Sequence, residues 1–182
     1  MQIGKWLMAG TVGLTLGACA HSGSATTQAM SPAKAEATVM GLNRSGVTGT
    51  VMLSQVPEGV KVEGKITGLA PDSVHGFHIH ETGNCETPDG SSAGPHFNPA
   101  AEQHGDLVAS HSHMGDLGNI QADKTGSAMV SFLKAGAVLS GPEGFAERAI
   151  IVHEKRDDLN TQPAGNSGGR IGCGVIKMAA AK

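Results

Sequence analysis

The sequence predicts an all-β domain, a β-sandwich or flattened barrel of eight strands with two long functional loops. Three observations lead there. The 182 residues include 27 glycines, only 3% aromatics and no tyrosine, a composition that favours many turns over long helices. Eight short stretches carry strand-like patterning, several of them separated by turn signals. Two segments, 81–116 and 155–169, interrupt that spacing; each is too long and too rich in Gly, Pro and His for a plain connector, and long loops in compact domains usually carry function.

From the N-terminus, Lys5 followed by the short apolar run 6–17 reads as an export signal covering residues 1–18. The run is too short to cross a bilayer. It ends in Leu16-Gly17-Ala18-Cys19, which resembles the lipobox of bacterial lipoproteins and so implies cleavage before Cys19 and a lipid on its thiol. The alternative is an ordinary secretory signal with a chance cysteine at its end. Residues 19–34 are small, polar and Pro-containing, a tether with nothing to bury. On this reading the chain sits on the periplasmic side of a bacterial envelope, lipid-anchored to a membrane, with Ala20 pointing to the outer one. Residues 35–178 form the domain and 179–182 a tail. Cys85 and Cys173, left over in an oxidising compartment, are expected to form a disulfide.

Within the domain, strands are expected at 35–42, 48–55, 59–67, 73–80, 118–122, 125–134, 149–154 and 171–178. Asn43-Arg44-Ser45-Gly46, Pro57-Glu58-Gly59 and Asp123-Lys124-Thr125-Gly126 mark turns between them. The formal net charge is -3, and no Lys/Arg cluster lies beside aromatic residues, so nucleic acid is excluded as a partner. Chemistry is concentrated in histidine. His78 and His80, two apart on one strand, project from the same face and can reach one ion. The first long loop adds His96, His104, His113 and Asp116, three imidazoles and a carboxylate that suit a closed tetrahedral zinc site. His153 ends the run Ala149-Ile150-Ile151-Val152 and could complete an imidazole-only set with His78 and His80, which suits copper.

Gly76-Phe77-His78-Ile79-His80-Glu81, Gly94-Pro95-His96-Phe97-Asn98-Pro99, His113-Met114-Gly115-Asp116-Leu117-Gly118-Asn119, Val152-His153-Glu154 and Gly169-Arg170-Ile171-Gly172-Cys173-Gly174-Val175-Ile176 together resemble the copper/zinc superoxide dismutases, in family order across about residues 35–178. The resemblance implies Greek-key connections, one copper and one zinc per subunit, and conversion of superoxide to O2 and H2O2 through alternating Cu(II) and Cu(I). It assigns copper to His78, His80, His96 and His153, and zinc to His96, His104, His113 and Asp116. His96 would then be an imidazolate shared by both ions, able to release copper and take up a proton during turnover. Asp157 would accept from the non-ligating nitrogens of His78 and His104, and Arg170 would draw in the superoxide anion.

Some features stand apart from the family pattern. Cys85 follows His80 by only five residues, so the loop around the disulfide is expected to be shaped differently from that of eukaryotic members. The second loop holds its only charges before Asn160, so steering charges other than Arg170 have no clear match. His21 falls in the tether; His75 and His111 are either exposed or auxiliary copper-capturing groups. A competing function is a non-catalytic copper- and zinc-binding envelope lipoprotein, although the full ligand set and Arg170 favour the enzyme. A homodimer and a monomer remain equally open.

Overall fold

A computed structural model describes residues 32–180. The export signal, Cys19, His21 and most of the tether lie outside the described residues. Eight strands follow one another: β1 Lys34–Gly41, β2 Thr48–Val56, β3 Gly59–Thr67, β4 Val74–His80, β5 Asp116–Gln121, β6 Ala128–Ala135, β7 Ala149–His153 and β8 Arg170–Met178. All pairings between them are antiparallel, in the order β5-β4-β7-β8-β1-β2-β3-β6. The two ends of that order meet at an Ala122–Ala128 bridge, which nearly closes the sheet into a barrel. Because β3 pairs with β6 and β4 with β7, the β3–β4 and β6–β7 connections cross between hairpins, giving the Greek-key path.

Alternation explains the first three strands. Ala35, Ala37 and Val39 on β1, Val51 and Leu53 on β2, and Val60, Val62 and Ile66 on β3 are buried, with mostly exposed residues between them. β4 and β7 differ, because β7 is buried along its whole length and β4 from its second residue onward. One face of each feeds the main core through Phe77, Ile79, Ile150 and Val152. The opposite face carries His78, His80 and His153, and on β7 also Ala149 and Ile151, which pack in a second cluster with Leu42, Ala93 and Cys173. The long loops cover this second face, so two neighbouring strands become the floor of a site.

The expected strands all form, with small shifts at their ends. β6 starts at Ala128 instead of 125 because the Asp123 carboxylate accepts from the Thr125 N–H at 2.7 Å, the Thr125 hydroxyl at 2.6 Å and the Ser127 N–H at 3.1 Å. Those bonds hold the segment in a turn. β5 begins earlier than expected, at Asp116, which pairs with His78 across a bulge near Gly76. The last candidate zinc ligand thus stands where the first long loop joins the sheet.

Cys85 and Cys173 are disulfide-bonded, with their Cα atoms 5.8 Å apart and a sequence separation of 88. The bridge ties the first long loop to β8. Replacing both cysteines by alanine is expected to cost roughly 2–5 kcal/mol of stability. Thermal unfolding would register this as a lower Tm, and an unchanged Tm would show that the bridge does not constrain the chain.

Candidate metal centre

Every residue of the two expected ligand sets is buried, and each set converges. One ring nitrogen from each of His78, His80, His96 and His153 lies within 4.8 Å of the others, and the same holds for His96, His104, His113 and Asp116. His96 belongs to both. Its ring centroid is 4.0 Å from that of His78, 4.9 Å from His80, 5.4 Å from His104, 5.5 Å from His113 and 5.9 Å from His153.

Hydrogen bonds show which nitrogen of each ring remains available. His80 Nδ1–H donates to the Gly94 carbonyl at 2.8 Å, leaving Nε2 to face His153 Nε2 at 3.3 Å. His78 Nε2–H donates to Asp157 Oδ2 at 2.8 Å, leaving Nδ1. His104 Nε2–H donates to Asp157 Oδ1 at 2.9 Å, so a single carboxylate orients one ring from each set. In the second set, Asp116 Oδ1 lies 2.9 Å, 3.0 Å and 3.2 Å from the Nδ1 atoms of His96, His104 and His113. Its Oδ2 accepts from the Gly105 and His113 N–H groups, each at 3.0 Å.

Among the described residues, two buried ring nitrogens have no hydrogen-bond partner: His78 Nδ1 and His96 Nε2. Buried polar atoms are rarely left unpaired in a protein, and both belong to the imidazole-only set. That set therefore fits a cation that accepts nitrogen donors. The other set, three imidazole nitrogens around one carboxylate oxygen, fits zinc in both donor type and number. His96 offers Nδ1 to one set and Nε2 to the other.

Electrostatics supports the same reading. Burial pushes the pKa of His80 and His153 well below the ordinary imidazole value, helped by neighbouring imidazoles and Arg170. Burial likewise lowers His96 to about 4, against an upward pull from Asp116. These rings are neutral lone-pair donors at physiological pH. For Asp116, burial acts to raise the pKa, but hydrogen bonds from His104, His113, His96 and Gly105 hold it far below the usual carboxylate range. His104 goes the other way. Burial opposes its charge, yet the carboxylates of Asp116 and Asp157 on its two nitrogens raise it to about 9.

A cavity of about 690 Å3 opens onto this centre, lined by His80, His96, His153 and Arg170 among others. Arg170, on β8, is half-buried, with Nη1 donating to the Gly90 carbonyl at 2.5 Å and Nη2 to the Gly94 carbonyl at 2.7 Å. Gly94 O thus accepts from both Arg170 and His80, which couples the guanidinium to the metal set. Arg148 lines the same cavity, its carbon Cζ 3.4 Å from the Phe97 ring centroid and its donors on the Gly144, Glu81 and Pro142 carbonyls.

Sequence patterning gave no sign of Arg148, nor of two amide clamps behind the ligands. Asn119 exchanges hydrogen bonds with the backbone of Asp157, and Gln162 with the backbone of His104. Gly165 has φ 64° beside the Asp157 carboxylate, where an added Cβ would come within 1.8 Å of Oδ1. The two unassigned histidines separate. His75 is buried with both nitrogens engaged, Nδ1–H donating to the His153 carbonyl at 2.8 Å and Nε2 lying 2.6 Å from Ser73 Oγ. It is a strut beneath His153, neither exposed nor free to capture copper. His111 is exposed, 3.4 Å from Glu102, and belongs to neither set.

Comparisons with known proteins agree with this geometry. The family model described as copper/zinc superoxide dismutase (SODC) matches residues 47–176. An extracellular Cu-Zn superoxide dismutase of Brugia pahangi is 36% identical over 152 residues, spanning 78% of this chain and 75% of the relative. A Cu-Zn superoxide dismutase of Onchocerca volvulus is 40% identical over 147 residues, spanning 74% of this chain and 91% of the relative.

The raised pKa of His104 makes metal uptake at the carboxylate-containing set depend on pH. Without metal this ring stays protonated up to about pH 9, and ligation requires its Nδ1 lone pair, so zinc binding must displace that proton. At pH 8 the metal-free protein is expected to release about one proton from His104 per zinc bound, the affinity gaining up to about tenfold per pH unit until pH 9. Titration in buffers of different ionisation enthalpy measures this, and an affinity independent of pH between 7 and 9 would refute it.

Proposed function

The chain belongs to the copper/zinc superoxide dismutase family, and from that premise we propose how its residues convert superoxide to dioxygen and hydrogen peroxide. The observation that carries the reading is the His96 ring, which presents one nitrogen to each of two buried ligand sets. His78, His80, His96 and His153 would hold copper; His96, His104, His113 and Asp116 would hold zinc. When bound, copper would supply the one-electron redox chemistry and zinc a fixed positive charge beside His96.

The protein's part is binding, orientation and proton placement. Arg170 carries a permanent positive charge into the cavity beside His80 and His153, where a small anion is attracted and oriented. Its two carbonyl partners hold the guanidinium in place before substrate arrives. His96 Nε2, buried and unpaired, is the atom at which this chain can take up a proton and pass it on. Asp157 fixes the planes of His78 and His104 together, so the two sets keep their relative orientation. A protein that merely stores metal needs no cation at the mouth of its cavity, which favours the enzyme over the non-catalytic alternative.

We also place this domain outside the cytoplasm. The disulfide and the extracellular designation of the Brugia relative support export, and Leu16-Gly17-Ala18-Cys19 supports a bacterial, lipid-anchored form. Cys19→Ser is then expected to move the protein from the membrane fraction to the soluble one; unchanged partitioning would remove the anchor from this reading.

Superoxide consumption by the metal-loaded protein tests the activity, with chelation abolishing it and added copper and zinc restoring it. Arg170→Ala is expected to slow turnover about tenfold or more, a rise of at least about 1.4 kcal/mol in the rate-limiting barrier, with both metals retained. Full activity at normal metal content would refute the assignment of Arg170.

A further inference from the structure

On β6 the core-facing positions are Ala128, Val130, Phe132 and Lys134. The last breaks the pattern. Lys134 pairs with the buried Val60 and is only 5% exposed, a place where alternation calls for an apolar side chain. Burying an ammonium is costly unless it is paired, yet among the described residues Lys134 forms no direct salt bridge. Its Nζ donates instead to Ser112 Oγ and to the main-chain carbonyl of Asp116, both at 3.2 Å. The carboxylate of Asp116 attracts it from further off, as does that of Asp106.

We propose that Lys134 is a positioning residue for the zinc set: its ammonium clamps both ends of the Ser112-to-Asp116 turn and so presents His113 and Asp116 at ligating geometry. This rests on assigning zinc to His96, His104, His113 and Asp116. At its middle the turn is held through Gly115, whose N–H donates to the Phe97 carbonyl at 2.8 Å and whose carbonyl accepts from the Ile79 N–H at 2.9 Å. Inside it, the Asp116 N–H donates to the His113 carbonyl at 3.1 Å and the His113 N–H to Asp116 Oδ2 at 3.0 Å. Both of these bonds are local. Lys134 reaches the turn from a different strand and joins a side chain at one end to a backbone carbonyl at the other. Because the ammonium bonds the carbonyl and not the carboxylate, it holds Asp116 without competing for the oxygens that face the imidazoles.

The test uses the full protein carrying copper in the imidazole-only set and either zinc or cobalt(II) in the other. Lys134→Met keeps the length of the side chain and removes its donors. It is expected to speed zinc loss to a chelator by about tenfold or more and to shift the visible bands of cobalt, which report the geometry of its ligands. Lys134→Arg, which restores donors at the same place, is expected to recover most of the zinc retention. Ser112→Ala removes one of the two contacts and is expected to loosen zinc about threefold. Wild-type zinc retention with an unchanged cobalt spectrum in Lys134→Met overturns the proposal, even if the variant melts at a lower temperature. Should Lys134→Met fail to fold, unaltered zinc retention in Ser112→Ala overturns it equally. If the unsubstituted protein takes neither zinc nor cobalt into this set, the fault lies with the metal assignment.

Discussion

Everything in this structure is arranged around one imidazole that must serve two neighbouring ligand sets. His96 lies on the first long loop, yet its partners come from β4, from β7, from further along its own loop and from the start of β5. A ring shared in this way tolerates little rotation, since turning it to improve one set spoils the other. The loop must therefore be fixed against the sheet with the precision usually reserved for a core. Backbone bonds between Phe97 and Ile79 and between Gly115 and both of those residues do so on either side of the ligands.

The energetic problem follows directly. Seven ligand side chains and Asp157 are removed from water within one small volume, and uncompensated polar burial costs more than a hydrogen bond returns. The chain offsets this by pairing one nitrogen of three rings of the imidazole-only set with a carbonyl or carboxylate: Gly94 for His80, Gly168 for His153, Asp157 for His78. Among the described residues, the buried side-chain nitrogens and oxygens left without partners are His78 Nδ1 and His96 Nε2. Those atoms mark where the fold keeps donor capacity for a cation. Without it, two carboxylates hold His104 protonated, so the proton and the metal are alternatives at one atom.

Much of this was legible in the sequence because it is written in local signals. Alternating apolar residues fixed the eight strands, and errors at their ends trace to particular side chains, such as the Asp123 carboxylate that delays β6. The clustered histidines were legible because His-x-His on a strand and closely spaced His in a loop are the spacing that metal ligation needs. The supporting groups left no such trace. Asn119, Gln162 and Arg148 act on backbone carbonyls and amides 38, 58 and 67 residues away, and nothing about a lone Asn, Gln or Arg announces a distant partner. His75 was misjudged for the same reason: its partner, the His153 carbonyl, lies on β7, 78 residues away. The export signal and Cys19 were read from sequence alone and fall outside the described residues.

The way the first loop is attached explains how such a site can exist before metal arrives. Cys85 is bonded to Cys173, and Arg170, three residues earlier on β8, reaches the Gly90 and Gly94 carbonyls of the same loop. One covalent and one hydrogen-bonded tether thus run from a single strand into the segment that leads to His96. The covalent one limits how far the loop can wander when unfolded, and the hydrogen-bonded one sets the position of Gly94, whose carbonyl orients His80. On the proposed function, the guanidinium that would meet the substrate also braces the imidazole-only set through Gly94, so holding its rings and drawing in an anion would be two consequences of the same placement of Arg170.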